Sequence, residues 1–186
     1  MKRSDIKGLP SQEILLQLLN YNPETGILTW RRKNDGSKSS FGFNNKCAGK
    51  VAGTTTSRGY LAVGIRKNDK PTYYLAHRLI WKMMTGDDPV DQIDHNDGDR
   101  QNNRWFNLRP ADNGKNIANS KLRIDNTSGF KGVHLRKNGG TYRKWRAVIT
   151  ANGIHHRLGH FDTPEEASAA RELAAQKLHG EFARSA

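Results

Sequence analysis

Apolar residues recur along this chain with two different periods, and the periods sort the elements. Residues 76–85 (AHRLIWKMMT) carry apolar side chains at 76, 79, 80, 83 and 84, which spacing predicts a buried helix ended by Gly86. Residues 11–19 read as a shorter helix with Ser11 as its N-cap. Alternation of period two marks strands instead: Ile27–Trp30, then 60–65 and 72–75 as a hairpin, and near the C-terminus 130–136, 143–150 and 154–161. The turns between the last three hold Asn138-Gly139-Gly140 and Asn152-Gly153. Thr163-Pro164-Glu165-Glu166 then reads as a capping box, opening a helix with apolar positions 167, 170, 173, 174 and 178 that stops at Gly180. Residues 31–50 show no period and read as a loop that orders on a partner. Residues 91–120 are polar and dense in Asp and Asn, and 120–129 reads as a linker.

Charge sharpens this picture. The 186 residues hold 31 Lys and Arg against 18 Asp and Glu, a net charge of +13. That surplus costs self-repulsion in the folded state, which a polyanion relieves, so nucleic acid is the expected partner. No run approaches the roughly 18 apolar residues of a membrane span, and the charged start leads into no apolar signal core. The expected setting is therefore cytoplasmic, with no membrane partner. Cys47 is the only cysteine, which excludes an internal disulfide and any structural zinc site built on two thiolates.

The alternation also sorts the two faces of the C-terminal sheet. Val133, Leu135, Trp145, Ala147, Ile149, Ile154 and Leu158 fall on one face, which suits the helix. His134, Arg136, Lys144, Arg146, His155 and Arg157 fall on the other, and residues 131–157 hold seven Lys and Arg with no acid. Strands with a bare cationic face suit a DNA major groove. The blocks Phe130–Arg136, Lys144–Ile149 and Arg157–Thr163, with Glu165-Glu166-Ala167, resemble the APETALA/ethylene-response-factor DNA-binding domain over about residues 126–183. The resemblance implies duplex contacts from Lys131, His134, Arg136, Lys144, His155 and Arg157, to which the facing argument adds Arg146. Trp145 falls on a core position. Several of that family's usual Arg and Trp positions are Lys, His, Val or Thr here, so its base preference does not carry over.

The centre of the chain holds Asp94-His95, then Asn102-Asn103-Arg104, Asn107-Leu108-Arg109 and Asn113-Gly114-Lys115-Asn116. Hydrolysing a phosphodiester needs a water deprotonated near neutral pH and a cation on the phosphate. Imidazole is the natural base, and a hard divalent cation takes carboxylate and amide oxygens. Asp94, His95 and an Asn on a following helix supply both parts, while Asn107 between them can clamp the turn by bonding backbone groups across it. Asp97 and Asp99 read as turn residues. His77, among apolar helical neighbours, reads as a buried structural histidine.

This pattern resembles the HNH endonuclease family, in particular its phage and intron-encoded homing branch. Leu75-Ala76-His77-Arg78-Leu79 and the Tyr21-Asn22-Pro23-Glu24-Thr25-Gly26 opening also look like that branch. The resemblance implies an α+β chain: a ββα-metal nuclease module over residues 1–119, a linker at 120–129, and a three-stranded antiparallel sheet packed on one helix over 130–186. It makes His95 the general base, Asn107 the central structural Asn, and Asp94 and Asn116 the protein ligands of one Mg²⁺ or Mn²⁺, with Asn113 the local competitor for Asn116. No thiolates are present for the zinc knuckle of some relatives, so no zinc is expected. The implied activity is a DNA endonuclease leaving 5′-phosphate and 3′-hydroxyl ends at a preferred site on double-stranded DNA. One active site per chain cuts one strand, so a monomer would nick and a dimer could cut both strands; no dimer surface is legible, which favours the monomer, and a phage-encoded enzyme would act in the host cytoplasm. The rival is a sequence-specific DNA-binding regulator whose nuclease module does not cleave.

Overall fold

The computed structural model describes residues 8–67, 70–135 and 145–183. It has the mixed α+β class, with antiparallel sheets throughout, and falls into two units, Met1–Pro110 and Ala111–Ala186. The division lies nine residues before the expected end of the nuclease module, and it leaves Asn113 and Asn116 in the second unit.

In the first unit, Ser11 caps α1 (Gln12–Leu18) by accepting the Ile14 N–H. The chain then runs into a hairpin, β1 (Leu19–Asn22) paired with β2 (Ile27–Trp30). Its turn is built by Asn22, whose Oδ1 accepts the N–H groups of Glu24 and Thr25 at 3.0 and 3.1 Å. The segment expected to be a loop holds a helix, α2 (Lys38–Cys47). Its cohesion comes from polar bonds that a hydrophobic period does not register. Ser37 caps it through the Ser40 N–H, and Ser40 Oγ donates to Asp35 at 2.7 Å. Asn44 exchanges two hydrogen bonds with the Lys33 backbone, and Phe43 meets Trp30 edge-on at 5.5 Å.

Strands β3 (Thr54–Thr55), β4 (Leu61–Lys67) and β5 (Lys70–Leu75) form a sheet in that order. Helix α3 (Ala76–Thr85) ends at a left-handed Gly86, as its spacing predicts. It buries Ala76, His77, Leu79, Ile80 and Met83, whereas Met84 is exposed. The core joins α1, the first hairpin, β4 and α3 through Leu15, Leu19, Leu28, Val63, Leu79 and Ile80. Strand β6 (Gln92–His95) then pairs with β7 (Leu108–Ala111), with a 3₁₀ turn at Trp105–Asn107 between them.

The second unit opens with α4 (Asn113–Ala118), capped by Asp112. Residues 120–129 lie inside this unit, where Asn126 Oδ1 accepts from Ser128 and Gly129 and Ser128 Oγ donates to the Val133 carbonyl. Strands β8 (Val133–Leu135), β9 (Trp145–Ala151) and β10 (Ile154–Phe161) form a sheet with β9 central. Helix α5 (Pro164–His179) packs on it. Thr163 Oγ1 accepts the Glu166 N–H as a cap should, but Glu166 reaches back to the Asp162 N–H and not to that of Thr163. The buried face of α5 is Ala167, Ser168, Arg171 and Ala175; Leu173 and Leu178 of the expected stripe are exposed. No helix among the described residues is long and apolar enough to cross a membrane.

Candidate functional site

The β6–β7 hairpin places the Asp-His pair. Asp94 and His95 end β6 and are both only 4% exposed, an expensive position for polar groups without partners. The turn after them is closed by Asn107, itself buried. Its Nδ2 donates to Asp97 Oδ1 at 3.0 Å and to the Asn102 carbonyl at 2.8 Å, while its Oδ1 accepts the Asp97 N–H at 3.1 Å. The Asn96 N–H donates to the Asn107 carbonyl at 2.9 Å. Asp97 and Asp99 are turn builders: Asp97 accepts the Asp99 N–H and the Asn102 amide, and Asp99 accepts the Gln101 N–H. Burial works to raise the Asp97 pKa, but the bonds from Asn102, Asp99 and Asn107 outweigh it and hold the carboxyl below its ordinary range.

His95 Nε2 lies 3.3 Å from Asn103 Oδ1. Asn103 Nδ2 donates to the Gln101 carbonyl at 3.2 Å, which turns the amide oxygen toward the imidazole. An amide oxygen can only accept, so this contact is a hydrogen bond in the tautomer that carries its proton on Nε2. Behind His95 stand two further rings. His77 meets it perpendicularly at 5.1 Å, and Tyr60 lies 6.1 Å from His95 and 5.4 Å from His77. The Arg100 guanidinium covers Tyr60 at 4.9 Å. Burial pushes the His95 pKa down, against the Asn103 bond and the charges of Asp97, Asp94 and Asp99. His77 is pushed down to about 3 by burial, and by His95 and Arg78. Both imidazoles are therefore neutral near pH 7, the form a general base requires.

Arg109 was not singled out by sequence, yet it holds Asp94. Its Nε and Nη2 each lie 3.0 Å from Asp94 Oδ2. The register signal was present: with 96 bonded to 107 in an antiparallel hairpin, 94 falls opposite 109. Asn103 was the other omission, because its role depends on a loop geometry that no spacing rule encodes. Asn116 sits on α4, half-buried, with exposed Asn113 one turn earlier. Asp94 offers carboxylate oxygen in the first unit, and Asn113 and Asn116 offer amide oxygen in the second; these are donor types that a hard divalent cation takes.

The sheet of the second unit carries the other set. His134, Arg146 and His160 form one row across β8, β9 and β10. Arg157 stands opposite Val148, and His155 opposite Thr150, whose Oγ1 is 3.1 Å from His155 Nδ1. His160 was not expected on this face. The register shift between Arg157 and Gly159 inverts the alternation, sending His160 to the Arg146 side and Phe161 to the helix side, where it joins Val133, Ala147 and Ala167. Lys131 is not on this face: its ammonium donates to the carbonyls of Ile117, Ala118 and Ser120 at 3.2, 2.6 and 2.7 Å, capping the end of α4. Arg136 and Lys144 lie outside the described residues.

Comparison with known proteins bears on the first set. Residues 74–114 match the family model described as HNH endonuclease. A protein named as an HNH endonuclease in Acanthamoeba polyphaga mimivirus is 34% identical over 110 residues, which is 58% of this chain and 54% of that protein. The chain thus spans about half the length of the curated relative it matches. A solved structure described as DNA binding and cleavage by the HNH homing endonuclease I-HmuI aligns over 87% of this chain and 85% of that one, at 19% identity and a TM-score of 0.40, a likeness too slight to carry an argument.

Proposed function

We propose that this chain, with its HNH endonuclease segment at residues 74–114, is a metal-dependent DNA endonuclease of the homing type that hydrolyses phosphodiester bonds in duplex DNA. One observation carries the reading: buried His95, with Nε2 3.3 Å from Asn103 Oδ1, stands next to Asp94 in a turn clamped by Asn107. His95 Nδ1 takes a proton from water as the water oxygen bonds to phosphorus. The P–O3′ bond breaks on the opposite side, and the leaving oxygen gains a proton from solvent, giving 5′-phosphate and 3′-hydroxyl ends. The carboxylates of Asp94, Asp97 and Asp99 favour the imidazolium so formed. Asp94 and Asn116 would hold one Mg²⁺ or Mn²⁺, which supplies Lewis-acid stabilisation of phosphate charge.

The open sheet face of the second unit, with His134, Arg146, His155, Arg157 and His160, is the proposed duplex-anchoring surface, in keeping with the APETALA/ethylene-response-factor pattern. Arg136 and Lys144 extend that pattern in sequence. Lys131 is left out of the contact set because its donors serve α4.

Supercoiled plasmid with Mg²⁺ tests the reading, comparing wild type, His95→Ala and an EDTA control. Nicked product from the wild type alone supports it, with His95→Ala still binding duplex. If neither protein cuts while both bind, the chain is a DNA-binding regulator and not a nuclease.

A further inference from the structure

The turn between β3 and β4 reaches the nuclease site from a separate sheet, and the chemistry above gives it no task. Its own bonds close it. The Gly59 N–H donates to the Thr56 carbonyl at 2.9 Å, the Thr56 N–H to the Tyr60 carbonyl at 2.8 Å, and the Tyr60 N–H to Thr56 Oγ1 at 3.1 Å. The turn so fixed presents two groups to Arg100. The Arg58 carbonyl accepts from Arg100 Nη1 at 2.8 Å across 42 residues of sequence, and the guanidinium carbon stands 4.9 Å over the Tyr60 ring. Gly59 lies between the two at a φ of +81°, and a Cβ there would be 4.0 Å from Arg100 Cδ.

Arg100 is exposed, and fixing a long exposed side chain costs entropy that contacts must offset. Here a carbonyl and a ring face offset it, so the guanidinium is set in place before any ligand arrives. The protein does not neutralise that charge. Asp97 and Asp99 flank Arg100, but their carboxylates accept from the Asp99 and Gln101 N–H groups and from the Asn102 and Asn107 amides. Arg100 enters no ion pair among the described residues. Nη1 serves the Arg58 carbonyl, and the rest of the planar fork has the shape that takes a phosphate in two bonds.

Tyr60 joins this cation to the proposed chemistry, because its ring also lies 6.1 Å from that of His95. The two distances bring guanidinium and imidazole near enough to meet one DNA strand, whose phosphates recur every ~3.4 Å along the duplex axis. We infer that Arg100 is a phosphate-binding residue of the nuclease unit. Held on Tyr60 and the Arg58 carbonyl, it grips a backbone phosphate beside the scissile one and so registers the strand against His95. This rests on the reading of His95 as the base. It places one duplex contact of the first unit at the reaction itself.

The test uses the full chain and two kinds of DNA. Binding is read by fluorescence anisotropy without Mg²⁺, on a fluorescein-labelled duplex of mixed sequence at several salt concentrations. Arg100→Gln is expected to weaken binding about tenfold and to lower the slope of log K against log salt by about 1. Arg100→Lys keeps the charge and should restore the slope, while its kcat/KM stays below that of wild type because an ammonium lacks the fork. Cleavage is read on a duplex spanning a mapped cut, with single phosphates replaced by neutral methylphosphonates. Wild type should lose about tenfold in kcat/KM at one phosphate beside the cut. Arg100→Gln should lose almost nothing there and respond as wild type does at the other positions. A wild-type salt slope in Arg100→Gln overturns the inference, and so does a methylphosphonate pattern identical in the two proteins. If the wild type cuts no DNA, the nuclease reading falls, while the salt slope still decides whether Arg100 holds a phosphate.

Discussion

Arg109 places both Nε and Nη2 3.0 Å from the same oxygen of Asp94, Oδ2, in the two-stranded sheet that carries His95. The two side chains are 15% and 5% exposed, so the pair sits largely out of water. Removing one partner of a buried ion pair leaves an uncompensated charge, at a cost of about 3–5 kcal/mol. Arg109→Gln is therefore expected to lower stability by about 3 kcal/mol without metal. A cation bound at Asp94 would replace the lost compensation, so Mg²⁺ should raise the thermal midpoint of Arg109→Gln more than that of wild type. Thermal unfolding of both proteins with and without Mg²⁺ measures this. Equal metal-induced shifts would remove Asp94 from the proposed ligand set.

Asn107 offers a prediction about the turn itself. Its side chain makes three bonds, to Asp97 Oδ1, the Asn102 carbonyl and the Asp97 N–H. At about 1 kcal/mol each, Asn107→Ala should cost about 3 kcal/mol in urea unfolding. Asn107→Asp loses both donations and sets a second carboxylate against Asp97, so it should be at least as destabilised at pH 7. A cost under 1 kcal/mol for both would mean that the turn holds its shape without the clamp.

What sequence made legible, and what it hid, follows from the kind of force at each place. Helix α3 could be read because burial imposes a period on its residues, and its left-handed Gly86 stop is equally local. Helix α2 could not: Ser37, Ser40, Asp35 and Asn44 hold it by short-range hydrogen bonds that leave no apolar stripe. On β10 the side chains alternate as far as Arg157 and then invert, because one bulged residue flips every side chain beyond it. At the site, Asp94 and His95 stood out by residue type, and Asn107 by the bonds its amide could make across a turn. Asn103 and Arg109 act through tertiary geometry, and Arg109 becomes visible only when the hairpin register is used.

The two lysine and arginine readings in the second unit make opposite predictions. Arg146 is exposed at the centre of the open sheet face, between His134 and His160. If it meets a phosphate, Arg146→Ala should weaken duplex binding and reduce the slope of log K against log salt by about 1. Lys131 spends its ammonium on three carbonyls at the end of α4. Lys131→Met should leave the salt slope unchanged and lower stability by about 1–2 kcal/mol. Fluorescence anisotropy titrations at several salt concentrations, with urea unfolding, separate them. An unchanged slope for Arg146→Ala would take the sheet face out of the DNA-binding surface.

His77 makes stability depend on pH, with a definite sign. Its folded-state pKa is pushed down to about 3 by burial, against 6.5 for an exposed imidazole. Above pH 6.5 the ring is neutral in both states and costs nothing. As pH falls below 6.5 the unfolded chain takes up a proton that folded His77 refuses, so stability is lost, at up to about 1.4 kcal/mol per pH unit, until the folded ring also titrates near pH 3. His77→Leu removes this group while keeping an apolar side chain against Tyr60 and His95. Between pH 7.5 and 5.0, urea unfolding of wild type should therefore lose about 2 kcal/mol more than that of the variant. His95, whose pKa is also lowered, contributes to the loss in both proteins. Equal losses would mean that His77 accepts its proton as readily folded as unfolded, and that the packing behind His95 is more open to water than its burial implies.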